Sequence, residues 1–142
     1  MAKLSGQGPM MLTMKTRYAL RALVAVAREP VLPMMTADIA ESQDIPKKFL
    51  GQILVELVQG GFLRRRKGKK GGYLLSKPPE AITLFAVIRT LQGTISPAPC
   101  LDDPEWRCDG CENHCRLREA LCESYEPYRR GLAGKTLADL MA

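Results

Sequence analysis

Proline and glycine punctuation constrains this chain more than any other feature. Pro30 and Pro33, then Pro46, then Gly60-Gly61 and Gly71-Gly72 divide the first 79 residues into helix-length pieces and one hairpin. Across 13–28, Ala19, Leu20, Leu23, Val24 and the Val26-Ala27 pair recur at helical spacing, with Lys15, Arg17, Arg21 and Arg28 elsewhere on the wheel. That pattern predicts an amphipathic helix of about four turns, stopped by the two prolines. Thr36 is placed to cap a short helix over 37–43 that buries Ile39 and Ala40. After a turn at Asp44-Ile45, Pro46 opens a third helix over 47–59, with Phe49, Leu50, Ile53, Leu54, Leu57 and Val58 as its inward stripe. Gly60-Gly61 ends it, and strand-like runs at 62–66 and 73–76 flank a loop rich in Lys and Gly. The expected class is mostly α with a small β-hairpin: a winged helix-turn-helix.

Charge gives this arrangement a partner. Residues 1–79 carry 14 Lys and Arg against 5 Asp and Glu, whereas residues 80–142 carry 7 against 10. A basic first half joined to a mildly acidic second half implies a polyanion-binding module attached to something else. In a winged helix-turn-helix the third helix enters the major groove of double-stranded DNA and the hairpin follows the backbone. Lys47, Lys48 and Gln52 lie at the start of that helix, where the Gln52 amide suits bidentate pairing with adenine. Gly51 beside it has no side chain to block close approach. Arg64, Arg65, Arg66, Lys67, Lys69 and Lys70 put six positive charges on the wing, and Gly71 and Gly72 let its backbone near phosphates. Thr36, at the start of the second helix, completes the expected DNA-contacting set.

Beyond the Lys77-Pro78-Pro79 break, Thr83 caps a predicted helix ending at Gln92 before Gly93. A long helix is expected over 116–130, kinked or cut short by Pro127, followed by a short one over 137–141. Between them Cys100, Cys108, Cys111 and Cys115 fall within sixteen residues, with Cys122 further on. Residues 1–11 read as a flexible leader with no apolar signal segment, and the apolar runs are too short to span a membrane. In the cytoplasmic protein this implies, clustered thiols point to metal or redox chemistry rather than structural disulfides. Soft thiolates suit an iron–sulfur cluster or zinc, and Cys108-x-x-Cys111 suits either. Cys122 is expected to be a buried or half-buried helix thiol, His114 a solvent-facing loop residue, and Trp106 a packing residue. Asp102, Asp103, Glu105, Asp109 and Glu112 read as the solvated surface of the loop. No enzyme is expected: one histidine, no Ser/His/Asp order and no phosphate-cradling glycine loop leave no catalytic set. A ferredoxin pattern fails for want of one cysteine and its following proline.

The order of short motifs resembles the IscR/NsrR/CymR family of bacterial winged-helix regulators over residues 12–141. Thr16-Arg17-Tyr18-Ala19-Leu20-Arg21-Ala22-Leu23 matches its opening helix, and Ile39-Ala40-Glu41, Ile45-Pro46 and Phe49-Leu50-Gly51-Gln52-Ile53-Leu54 follow in step. Gly60-Gly61-Phe62-Leu63, the wing Lys70-Gly71-Gly72-Tyr73-Leu74-Leu75, Pro78, Ile82-Thr83-Leu84 and Thr136-Leu137-Ala138-Asp139-Leu140 complete it. The resemblance implies a homodimer, held by the long C-terminal helix, on an inverted-repeat operator. It divides the chain into a DNA-binding domain at 12–79 and a sensor and dimerisation segment at 80–142. Cluster-bearing members place three cysteines in this loop, and Cys100, Cys108 and Cys115 resemble that triplet. The histidine some relatives supply as fourth ligand is here Arg118, and the carboxylate others use is here Arg17; Cys111 is then the candidate fourth ligand. The implied function is a repressor, redox- or nitric-oxide-sensing, with a [2Fe–2S] or [4Fe–4S] cluster. A cluster-free thiol- or partner-regulated member, and an adaptor holding structural zinc, remain open beside it.

Overall fold

The computed structural model describes residues 12–103, 105 and 115–142. The expected leader 1–11 and the loop positions Trp106, Cys108, Asp109, Cys111, Glu112 and His114 lie outside the described residues. The first helix, α1 (Met14–Ala27), is capped by Thr13, whose hydroxyl accepts from the Thr16 backbone N–H at 3.1 Å. Ala19, Ala22 and Leu23 are fully buried, with Val26 and Ala27 close to it. Small side chains on this face let neighbouring elements approach closely. Helices α2 (Thr36–Gln43) and α3 (Lys47–Gln59) pack against it and each other. From α3, Leu50, Ile53, Leu54 and Leu57 are fully buried, each a burial worth about 1.5–3 kcal/mol.

Two details differ from the sequence reading here. Thr36 does not cap α2 but is its first residue, after Met35, which makes no side-chain cap. The cause is a long-range pairing: Met34 and Tyr73 exchange backbone hydrogen bonds of 3.1 and 2.8 Å, so the extended segment ends by Met35. Phe49 does not belong to the inward stripe. It is 37% exposed, sitting edge-on to Tyr18 with ring centroids 5.7 Å apart, and Val58 is half-buried.

The hairpin pairs β1 (Leu63–Arg66) with β2 (Gly72–Leu75), antiparallel, Leu63 opposite Leu75 and Arg66 opposite Gly72. Leu63 and Tyr73 on one face and Leu74 on the other are all buried. Gly72 has φ of 152°, and a Cβ there would lie 2.4 Å from the Met34 carbonyl oxygen. The structure therefore assigns Gly72 a role inside the fold: it lets β2 lie against the Met34 backbone.

A 3-10 turn at Pro79–Ala81 leads to α4 (Leu84–Gln92), which Thr83 caps by accepting from the Ala86 N–H at 3.1 Å. Ile82, Val87 and Leu91 enter the same core as α1–α3. A second 3-10 turn spans Pro99–Leu101. The long helix α5 runs over Arg116–Gly134, through Pro127 rather than ending before it. Proline removes one intrahelical hydrogen bond, leaving the Glu123 carbonyl to solvent on an exposed stretch. Ion pairing follows directly after the defect: Glu126 accepts from Arg129 and from Arg130 Nε (3.3 Å), and Arg129 lies over the Phe85 ring of α4 at 6.0 Å. The hydrogen bond from Arg129 holds the Glu126 carboxyl below its ordinary value. Finally α6 (Leu137–Met141) begins in a capping box between Thr136 and Asp139, and Leu137 is fully buried in the core.

Replacing Gly72 with Ala should therefore cost about 2 kcal/mol, from positive-φ strain and the clash with Met34. A thermal melt should show Tm lowered by roughly 4–8 °C with the helical signal intact. An unchanged Tm would mean the close approach of β2 to Met34 is not tight.

Candidate nucleic-acid interface and cysteine loop

The first turns of α3 present Lys47, Lys48 and Gln52 to solvent. Gly51 lies beside them, and a Cβ there would meet no other atom within 4 Å. The fold has no packing need for a glycine at this point, so its bare backbone is open to an approaching groove. Val55, 50% exposed, stands one turn on from Gln52. It belongs to neither the inward stripe nor the DNA-contacting set expected from sequence; its place off the Leu50/Ile53/Leu54/Leu57 stripe is the signal that marks it. A short aliphatic side chain there suits contact with a thymine methyl. Arg21 links α1 to α2: its guanidinium donates to the Gln43 carbonyl at the end of α2 and lies 5.9 Å from the Tyr18 ring centroid. Asp44 then turns the chain with φ of 52°.

On the wing, Arg64, Arg65, Arg66, Lys67, Lys69 and Lys70 are all exposed. Among the described residues no carboxylate forms an ion pair with any of them, so their charge is unspent on the fold. Arg65 lies 6.0 Å over the ring of its cross-strand partner Tyr73, which steadies the guanidinium. A groove of about 410 Å³ separates the wing from the start of α2, lined by Met35, Thr36, Arg65, Arg66, Lys67 and Tyr73 among others. The structure thus brings Thr36 and the wing, far apart in sequence, to one concavity. The first amides of a helix lack intrahelical acceptors, so this end of α2 and the wing cations favour the same anion.

Across the molecule, the described cysteines fall in three places. Cys100 is half-buried in the Pro99–Leu101 turn, Cys115 is half-buried and caps α5, and Cys122 is exposed on α5. Exposure of Cys122 corrects the expectation of a buried or half-buried thiol, because no described residue covers that face of α5. Arg118 joins the two ends of the cysteine loop: its backbone N–H donates to Cys115 Sγ at 3.4 Å and its Nε to the Cys100 carbonyl at 3.3 Å. With Cys108 and Cys111 outside the described residues, no group of three metal donors is assembled among those described. The two that are described nevertheless fit a thiolate-bound centre. Both are half-buried at the base of one loop, Cys115 accepting from the first-turn Arg118 N–H of α5 and Cys100 tied to it through the Arg118 guanidinium.

The loop base is tied to the core. Asp102 accepts from the hydroxyls of Thr94 and Ser96, the latter at 2.5 Å, and Ser96 is buried. Tyr125 of α5 closes over the same spot, where burial and then the Asp102 charge raise its phenol above the ordinary value.

Residues 12–142 match the family model described as Rrf2: Iron-dependent Transcriptional regulator. The chain is 33% identical over 139 residues to the rrf2-like HTH-type transcriptional regulator of Rhodobacter capsulatus, covering 93% of each. It is 35% identical over 133 residues to the HTH-type transcriptional regulator NsrR of Geobacillus kaustophilus, covering 93% of this chain and 90% of the relative. Its fold superposes on CymR, the global cysteine regulator of B. subtilis, with a TM-score of 0.76 at 27% identity, over 92% of this chain and 95% of that one.

Removing one wing charge, as in Arg65→Ala or Lys69→Ala, should weaken binding to every duplex sequence alike and reduce the slope of log affinity against log salt by about 1. Gln52→Ala should instead flatten preference among sequences while leaving the slope in place. Binding titrations at several salt concentrations read both, and an unchanged slope in the wing variants would remove the wing from the DNA backbone.

Proposed function

The chain belongs to the Rrf2 family of transcriptional regulators, and from that premise we propose that it is a cytoplasmic, homodimeric repressor whose operator affinity is set by an iron–sulfur cluster. Cys100, Cys108, Cys111 and Cys115 are its ligands, in a segment (80–142) that senses and dimerises while 12–79 holds an inverted-repeat operator. The observation that carries the sensor half is Arg118, which draws the Cys100 and Cys115 ends of the loop to one place. Bound there, a [2Fe–2S] or [4Fe–4S] group supplies a redox- and nitric-oxide-sensitive crosslink across the loop.

The residues of the chain do the rest. Lys47, Lys48, Arg64, Arg65, Arg66, Lys67, Lys69 and Lys70 neutralise phosphates, Thr36 faces one in the groove beside the wing, and Gln52 and Val55 read base edges. Gly71 and Gly72 keep the wing backbone low against the duplex. Dimerisation falls to α5. None of its residues is buried, and Leu117 and Tyr128, 67% and 39% exposed, lie with Leu121 on one helical stripe that a second copy would cover. No described helix is long and apolar enough to cross a membrane.

A second reading, cluster-free regulation through thiols, is favoured by the likeness to the cysteine regulator CymR and by the exposed Cys122. Anaerobic purification separates the two. Broad absorbance between about 320 and 460 nm with matching iron and sulfide is expected for the cluster-bearing protein. Each of Cys100→Ala, Cys108→Ala and Cys115→Ala should abolish that absorbance without lowering the Tm of the winged portion. Absorbance retained in all three variants would refute the ligand assignment, and protein free of metal after reconstitution would leave the thiol reading standing.

A further inference from the structure

Gln92, the last residue of α4, holds two parts of the molecule at once. Its Oε1 accepts from the Thr13 backbone N–H at 3.2 Å and from the hydroxyl of fully buried Thr16 at 2.9 Å, both in the first turn of α1. Its Nε2 donates to the Thr94 carbonyl at 3.2 Å. Gly93, with φ of 81°, turns the chain sharply after α4. Thr94 continues the path: its hydroxyl donates to Asp102 and accepts from the Ser96 N–H at 2.9 Å. Asp102 in turn closes the turn that carries Cys100, its N–H donating to the Pro99 carbonyl at 3.1 Å. An unbroken line of hydrogen bonds therefore joins the Cys100 turn to the start of α1, the helix on which α3 packs.

We propose that Gln92 is a positioning residue that couples the cysteine loop to the DNA-reading helices through α1. The Thr16 hydroxyl is buried and donates to Gln92, and a buried donor stripped of its acceptor costs about 1–3 kcal/mol. The Gln92 amide is planar, so its acceptor cannot turn toward α1 without its donor turning toward Thr94. A displacement of Thr94 by the loop is then passed to the first turn of α1 for as long as the exposed Gln92–Thr94 hydrogen bond holds. A carboxylate or an aliphatic side chain at this position would lack one of the two functions, the donor or both.

The relay stands on the geometry alone, whereas its use as a switch rests on the sensor reading above; the test keeps them apart. In the full-length protein, amide hydrogen exchange of Thr13 and Thr16 reports the α1 end, and Asp102→Asn perturbs the loop end without touching α1. In the wild-type background Asp102→Asn should speed exchange at both amides by at least about twofold, the lower range of measured coupling between contacting residues. Gln92→Glu keeps the acceptor for Thr13 and Thr16 but removes the donor to Thr94, so in that background Asp102→Asn should leave both amides unchanged. A merely structural Gln92 would give the same response to Asp102→Asn in both backgrounds, and that result would overturn the proposal. If Gln92→Glu fails to fold, Thr94→Val cuts the same line on the loop side and carries the same expectation. At the level of function, the ratio of operator affinities with and without the reconstituted cluster should fall toward one in Gln92→Glu. A wild-type ratio already equal to one would refute the sensor reading, while the exchange cycle would still decide the relay.

Discussion

Fully buried alanines at positions 19 and 22 allow α1 to be approached from several sides, and the other elements of the core close on it. Helices α2 and α3 lean on one flank, α4 and α6 on another, and β2 reaches it as well. A larger side chain at either alanine would force these elements apart, because an interior packed near crystal density has no slack to absorb added methylenes. The orientation of α3 is thus a property of α1. So, in large part, is the relation between the two halves, since α4 and α6 of the cysteine-bearing half pack on the same helix as α2 and α3.

Two short connections tie the functional regions to the core. The wing and the start of α2 are joined by one backbone pairing, Met34 with Tyr73. The cysteine loop is joined to the core by Asp102, Thr94 and Gln92. Each connection is made of hydrogen bonds with fixed directions, whereas the mass of the core is non-directional apolar contact. Directional contacts lie where position must be set, and apolar contacts lie where volume must be filled.

Much of this was legible in the sequence, for identifiable reasons. Helices α1, α3, α4 and α6 announce themselves through periodic apolar residues and local caps such as Thr83, which act within a few residues. The wing was legible from its glycines and cations. What was hidden depended on partners distant in the chain. Thr36 lost its expected capping role because Met34 pairs with Tyr73, and Phe49 stands outside the core against the ring of half-buried Tyr18. Pro127 was read by its local rule, whereas an exposed backbone and the Glu126–Arg129 pair carry α5 past it. Gln92 gave no signal, since nothing local distinguishes a glutamine that bridges from one that is merely solvated. Of the four candidate ligands, the relation of Cys100 to Cys115 came into view through Arg118, a residue noted from sequence merely as an absent histidine.

The return of α6 to the core also bears on how the protein comes into being. Leu137 is fully buried, its N–H donates to the Ile82 carbonyl at 3.0 Å, and α6 packs on α1, more than a hundred residues earlier. During synthesis, residues 12–79 leave the ribosome long before the side chain that seals their interior exists. The nascent winged segment must wait, its apolar face partly open, and the cysteine loop has already been extruded when closure occurs. Extrusion of the cysteine loop and completion of the core are therefore late, nearly simultaneous events, and a product truncated before Leu137 lacks the side chain that closes the interior.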